Sequence, residues 1–399
     1  MTSYIGCSKL KLFYKQISIP LSQKATKINP NQPVTYKKHK KPRILVAPLD
    51  WGLGHATRCI PIIRELLAQD CEVWLAGEGI QGELLKTEFP ELPFLHLPGY
   101  NVQYSKTKKG LPWRIIRQSR KLLAAFQSEN RWLKKVVPEY SFDAIISDNR
   151  FGLFHNAIPS VFITHQLLIK TFTGKWTEKV LQKINYKYIN RFTECWVPDI
   201  ETENSLAGEL SHPDKKPKIP VHYIGLLSRF EKKETVIQQN HLLIILSGPE
   251  PQRTILEEKI IKEISNYNGT ATIVRGLPGS TTLIPSTNMI QLFNHLPAIK
   301  LNEEMLKAEY VISRSGYSTV MDIMNLQKKS ILIPTPGQTE QEYLARYYRK
   351  NNMAFIAGQK DFSLVDSIKK AKQFPYHLPA IHPGKKLHTV IQQFLSSLK

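Results

Sequence analysis

The chain runs to 399 residues with 42% hydrophobic and 10% aromatic content, more than one ordinary core can use, so two domains of roughly 150 to 200 residues are expected. Its four cysteines, Cys7, Cys59, Cys71 and Cys195, form no Cys-x-x-Cys pair and have no histidine at metal spacing, which argues against a disulfide framework or a zinc site and favours a reducing, cytoplasmic compartment. A net charge of +22 fits an anionic membrane face or phosphorylated substrates; nucleic acid ranks last, because no zinc-finger spacing, RNP-type aromatic motif or helix-turn-helix is present.

Residues 1–41 contain nine lysines and no acid, so the remaining chain keeps 46 basic against 33 acidic side chains. With Asn29-Pro30-Asn31-Gln32-Pro33 and little periodicity, this segment is expected to be a basic flexible arm. Lys9, Lys11 and Lys15 stand where a signal peptide needs its apolar core, and no apolar run reaches the ~18 residues of an ordinary membrane-spanning helix.

The folded part is expected to begin at Pro42. Arg43 to Pro48 reads as a short apolar strand, Asp50-Trp51-Gly52-Leu53-Gly54-His55-Ala56-Thr57-Arg58 as the loop after it, and Ile60, Ile63, Leu66 and Leu67 as the apolar face of a helix. Glu72 to Ala76 is the next strand. Strand, glycine loop, helix, strand opens a parallel α/β sheet. The third glycine of a dinucleotide fingerprint is missing and His55 follows the second, which disfavours NAD. Gly52 and Gly54 let the backbone approach a ligand, with His55 and Arg58 beside it at the start of the helix.

Residues 106–135 hold ten basic side chains against one acid, Glu129, with Trp113, Phe126 and Trp132 threaded among them. Such a stretch can lie on anionic lipid; equally, its apolar members can be core and its basic ones a solvated face.

The same wiring starts again after residue 236. Leu242 to Leu246 is an apolar strand followed by Ser247-Gly248-Pro249-Glu250-Pro251-Gln252-Arg253, and Ala271 to Val274, Met289 to Phe293, Tyr310 to Ser313 and Ser330 to Ile333 read as further strands. Two Rossmann-like halves would face one another across a cleft: a first domain over 42–230 and a second, nucleotide-binding domain over 235–378, with a C-terminal helix in 379–399.

The densest signal is Arg314-Ser315-Gly316-Tyr317-Ser318-Thr319-Val320-Met321-Asp322, followed by Pro334, Gln338, Gln341, Glu342 and Ala345. A buried strand ends at Ser313, and Gly316 is expected to permit a tight turn into a helix whose N-terminal amides can hold phosphate. The hydroxyls of Ser315, Ser318 and Thr319 can assist, and Asp322, on the same helix, can accept hydrogen bonds from a ribose diol. Nothing in the pattern calls for a metal or a bound cofactor.

Taken together, the Gly-x-Gly-His loop, the Arg-Ser-Gly-x-x-Thr-x-x-Asp helix and the Pro and Gln run resemble the MurG-like family 28 glycosyltransferases of GT-B fold, over roughly residues 42–395. The resemblance implies a metal-independent, inverting transfer of a sugar, N-acetylglucosamine among the candidates, from a UDP-sugar to a lipid-linked or glycan acceptor. It places Gly52, Gly54 and Arg58 on the acceptor side, makes His55 and His165 alternative catalytic bases, and brings Arg229 to the donor diphosphate. Asp322 would hold ribose, Phe293 and Asn294 would flank the uracil, and Gln338, Gln341 and Glu342 would meet the sugar. Gly248 is the remnant of a phosphate loop, with Arg253 able to compensate. Glu342 replaces a glutamine of the family, which leaves the sugar open. By the same likeness the enzyme is peripheral on the cytoplasmic membrane face. A GT-B nucleotide-sugar hydrolase or epimerase, and a non-catalytic basic binding protein, remain alternatives.

Overall fold

The computed structural model describes residues 41–100, 111–202, 205–282, 285–380 and 385–398, with only the backbone of 111–120. The first half contains β1 (Arg43–Pro48), α1 (Leu53–Ala68), β2 (Glu72–Gly77), α2 (Gly79–Glu88), β3 (Phe94–His96), α3 (Leu111–Tyr140), β4 (Ala144–Asp148), β5 (Ser160–Ile163), α4 (Lys175–Ile189), β6 (Glu194–Val197) and β7 (Val221–Tyr223). The second contains β8 (His241–Ile245), α5 (Gln252–Ile264), β9 (Thr270–Val274), β10 (Ile290–Phe293), α6 (Ala298–Lys307), β11 (Tyr310–Ser313), α7 (Tyr317–Asn325), β12 (Lys329–Leu332), α8 (Thr339–Lys350), β13 (Phe355–Ile356), α9 (Leu364–Lys372) and α10 (Lys385–Ser397).

Every strand pairing is parallel, in the orders β3-β2-β1-β4-β5-β6-β7 and β10-β9-β8-β11-β12-β13. Parallel strands covered on both faces read as continuous apolar runs. Ile44 to Ala47 and Leu242 to Ile244 do so, all fully buried. In each sheet the chain order reverses once, between β1 and β4 and again between β8 and β11. Open α/β folds offer a crevice for ligands outside the carboxyl ends of the strands at such a reversal.

A continuous apolar core joins the two sheets. It runs from Ile60, Ile63 and Leu66 of α1 through Leu226, Leu227 and Phe230 of the connecting segment to Val320, Met321 and Met324 of α7. The terminal helix α10 returns to the first half: Phe394 packs edge-on against the buried Trp196 of β6 with ring centroids 5.5 Å apart, and His388 Nδ1 lies 2.8 Å from Glu65 of α1.

In the described half of α3, Leu123 is exposed while the inner face further along is buried. Leu133, Val136 and Val137 are core, and Glu129 is buried in an ion pair with Arg150, 2.5 Å away, while it also accepts from the Tyr100 hydroxyl at 2.6 Å. Lys106, Lys108 and Lys109 lie outside the described residues, as do the side chains of Arg114 and Arg117.

Candidate active site

β1 ends at Pro48, whose register partner on β4 is Asp148, so whatever follows either strand meets at the first reversal point. Gly52 caps α1 at φ +83°, a conformation L side chains rarely adopt, and this lets the chain turn straight into the helix. His55 therefore stands beside Asp148, with Nδ1 3.0 Å from Oδ2. Arg58, one turn on, donates through Nε to the same oxygen at 2.8 Å and through Nη2 to Oδ1.

These charges set one another. Burial opposes ionisation of Asp148, but Arg58 and His55 outweigh it and hold the carboxyl below its ordinary range. Burial, reinforced by Arg58 and opposed by Asp148, lowers the His55 pKa and keeps the imidazole neutral near pH 7. Nδ1 can donate to Asp148 or accept from Arg58 Nη2, 2.7 Å away. With Nδ1–H on the carboxylate, Nε2 is left as a proton acceptor, and it has no hydrogen bond among the described residues.

His165 follows β5, where Thr164 N donates to the Trp196 carbonyl and continues the ladder. It is occupied on both sides: Nδ1 lies 3.4 Å from Arg58 Nη1, and Nε2 lies 2.7 Å from Glu340 Oε1 in the first turn of α8. Gln166 Nε2 donates to the other Glu340 oxygen at 2.6 Å. The imidazole also stacks on Tyr317 of α7, 4.2 Å between centroids at 12°. Burial works against the Glu340 charge, but His165 and Arg58 prevail and its pKa is lowered. His55, Arg58, Asp148, His165 and Glu340 form one chain of contacts spanning both halves.

The second reversal point carries the Gly248 loop and the start of α7. Gly248 has φ +105°, with the Thr335 hydroxyl the nearest atom to a built Cβ at 3.6 Å. Gly316 departs from expectation. Its φ of −72° and ψ of 134° suit any residue, so the turn does not demand glycine; a Cβ there would meet nothing within 4 Å, and the missing side chain leaves open space at the helix start. No side chain caps α7. Ser318 Oγ donates across the cleft to the Gly54 carbonyl at 2.9 Å, and a Cβ on Gly54 would come within 3.0 Å of that hydroxyl. Thr319 is half-buried on the same turn. Ser315 Oγ donates to the Gln341 carbonyl at 2.9 Å. Arg314 is fully buried, donates only to the Ile333 and Gln252 carbonyls and leaves Nε without a partner; burial lowers its pKa to about 10.

Gln338, Gln341 and Glu342 brace the loop before α8. Gln341 Oε1 accepts from Thr335 N, Gln341 Nε2 donates to Gln338 Oε1, and Glu342 Oε1 accepts from Gly337 N. Asp322 and Arg229, expected at ribose and diphosphate, lie together. Asp322 Oδ1 accepts from Ser228 Oγ at 2.8 Å and Arg229 N at 3.3 Å, and Arg229 Nε is 3.7 Å from Oδ2. Burial raises the Asp322 pKa to about 6 against the pull of Arg229, and it lowers that of Arg229. Phe293 is half-buried at the end of β10, its carbonyl accepting from Arg275 N, and Asn294 is held by Arg275 and the Ser280 and Thr282 carbonyls. Arg253 is spent on Glu250, Glu257 and Thr254, which fixes the loop before α5. Among the described residues no group of three or more His, Cys, Asp or Glu is arranged to hold a metal ion.

Asp148, Glu340 and Tyr317 were not expected. Asp148 was findable as the polar end of an apolar run, Ala144 to Ser147, and Glu340 as the acid among the glutamines; their meetings with His55 and His165, 93 and 175 positions away in the chain, have no local signature.

Residues 286–387 match the profile of the glycosyltransferase family 28 C-terminal domain. Over 333 residues the chain is 23% identical to a UDP-N-acetylglucosamine–N-acetylmuramyl-(pentapeptide) pyrophosphoryl-undecaprenol N-acetylglucosamine transferase of Listeria monocytogenes, covering 78% of this chain and 85% of the relative. An enzyme of the same description from Haemophilus ducreyi is 22% identical over 323 residues, covering 78% and 83%. Among solved structures, the glycosyltransferase SnogD of Streptomyces nogalater superposes with a TM-score of 0.57 at 10% identity, over 90% of this chain and all of that one. Phytolacca americana UGT2 gives 0.57 at 16%, over 91% and 95%. These structural likenesses establish the fold.

Two parallel Rossmann-like halves with facing crevices make this the GT-B fold of those structures. In the matched C-terminal domain and over most of the curated relatives' length, the chain is similar to MurG-like glycosyltransferases of family 28.

Proposed function

We propose that the enzyme transfers N-acetylglucosamine from its UDP conjugate to a lipid-linked acceptor at the cytoplasmic membrane face, with inversion and without a metal ion. The observation that carries this reading is the meeting of the His55–Asp148 pair with the first turn of α7, sealed by the Ser318 to Gly54 hydrogen bond. A proton acceptor and a seat for a leaving diphosphate then share one cleft.

In this mechanism His55 Nε2 takes the proton of the acceptor hydroxyl while Asp148 holds the Nδ1–H and offsets the growing imidazolium charge. The freed oxygen attacks the anomeric carbon as the bond from that carbon to the diphosphate breaks, and UDP departs. The α7 N-terminus, the Ser315, Ser318 and Thr319 hydroxyls and Arg229 receive the developing charge. Asp322 exchanges its bond to Ser228 for the ribose hydroxyls. His165, engaged by both Arg58 and Glu340, bridges the halves, which ranks His55 ahead of it as the base.

The curated relatives' names supply the donor and acceptor classes, and the contacts of Asp322 and Glu342 supply what is particular to this chain. The test is incubation with UDP-N-acetylglucosamine and lipid extract, with and without EDTA, followed by mass analysis. A lipid gaining one N-acetylhexosamine, with EDTA indifferent, supports the proposal; activity lost in EDTA and restored by Mg2+ or Mn2+ overturns its metal-free part.

A further inference from the structure

The second reversal point holds two buried polar groups that the fold leaves unused. Thr335, shortly after β12, is 1% exposed. Its amide donates to Gln341 Oε1 and its carbonyl accepts from Gln338 N, while Oγ1 has no hydrogen-bond partner among the described residues. Arg314, directly after β11, is equally buried. The other buried arginines among the described residues, Arg58, Arg150 and Arg253, each face a carboxylate: Asp148, Glu129 and Glu257. Arg314 reaches only two carbonyls, its Nε is unpartnered, and no carboxylate offsets the burial of its charge. A hydroxyl and a cation buried without partners are each destabilising, so a fold that keeps both at one place calls for a partner arriving from outside.

The surroundings select an anion. Arg314 Nη2 donates at 2.6 Å to the carbonyl of Gln252, the first residue of α5, and Arg314 itself stands shortly before Tyr317, the first residue of α7. Two helix N-termini, each a positive pole, therefore flank an arginine that has no counter-charge. Thr335 Oγ1 is the nearest atom to a Cβ built on Gly248, at 3.6 Å, so the exposed Gly248 leaves a gap over that hydroxyl where a side chain would lie. We infer that Thr335 and Arg314 complete the seat of the donor diphosphate: the Thr335 hydroxyl donates to a phosphate oxygen through the gap at Gly248 as that loop yields, and the Arg314 guanidinium supplies positive charge from beneath. The assignment rests on a nucleoside diphosphate donor seated at α7, as proposed above. It gives these two residues the compensating task that the sequence suggested for Arg253, whose guanidinium is held by Glu250, Glu257 and Thr254.

The test is calorimetry of the full chain with UDP and with uridine, beside thermal melting with and without inorganic diphosphate. Thr335→Val keeps the side-chain shape and removes the hydroxyl. Because Oγ1 has no partner within the fold, this variant should melt at or above the wild-type temperature, yet bind UDP about tenfold or more weakly, with uridine affinity unchanged. Thr335→Ser should restore UDP binding. Arg314→Lys, which keeps the charge, should retain more UDP affinity than Arg314→Gln, and both should hold uridine as wild type does. Inorganic diphosphate should raise the melting temperature of wild type and of Thr335→Ser more than that of Thr335→Val. The inference is overturned if Thr335→Val binds UDP as wild type does, or if UDP and uridine weaken together. It is overturned too if Thr335→Val melts well below wild type, since the hydroxyl would then be used within the fold. Wild type that binds no UDP sinks the donor reading and this assignment with it, whereas variants that bind UDP normally sink the assignment alone.

Discussion

In the proposed mechanism Asp148 has two tasks, because its carboxylate neutralises Arg58 and aligns His55 at once. Asp148→Asn leaves Arg58 buried without a counter-charge and removes the preference for Nδ1–H on His55. Turnover should fall by about a hundredfold or more while UDP affinity, measured by calorimetry, holds; unchanged turnover would free His55 from this partner. Since burial and Arg58 lower the His55 pKa, the acid limb of the kcat/KM profile should lie below the ordinary histidine value of 6.5. Asp322 is displaced in the opposite direction, to about 6 from an ordinary 3.8. A raised carboxyl pKa means that the fold prefers the protonated form, so its stabilising contribution is complete below pH 3.8 and is lost as pH rises through 6. The loss is about 3 kcal/mol at most, and Asp322→Asn should gain in melting temperature over wild type between about pH 5 and pH 8. For the donor, Asp322→Ala should weaken UDP binding by about 1.5 to 3 kcal/mol.

At the scale of elements, β1, β2 and β8 to β12 were legible because parallel strands buried on both faces are apolar throughout, whereas β3 to β7 were not singled out. Arg43–Pro48 and Tyr310–Ser313 carry the boundaries expected of them, and β8, β9, β10 and β12 differ by a residue. The two-residue β13 offered no such run. The α7 motif located the second crevice, yet the reason given for Gly316 does not hold, since a glycine required by backbone geometry and one required by empty space look alike in sequence. Long-range pairings were invisible, including the return of α10 onto α1 and β6. That return yields a prediction. Phe394 is 4% exposed against Trp196, so Phe394→Ala should cost about 3 to 5 kcal/mol, read as a lower denaturation midpoint; a change below ~1 kcal/mol would show that α10 does not secure the first half.

For the whole molecule, the two halves are joined by a continuous core and by buried charge contacts from Asp148 to Glu340, so the cleft is built from both. Arg58, His165 and Glu340 draw the α1 and α8 ends together, and a donor bound on α7 would lie against the His55 side. The cleft is proposed to move a sugar to an acceptor rather than to water or back to the donor. The most direct measurement is the fate of UDP-N-acetylglucosamine labelled in the sugar, followed with and without lipid extract. Label should leave the nucleotide only when lipid is present and should appear in a lipid heavier by one N-acetylhexosamine, and His55→Ala should slow this by roughly 10²- to 10⁴-fold. Free sugar or an epimerised donor formed in the absence of any acceptor would contradict the claim.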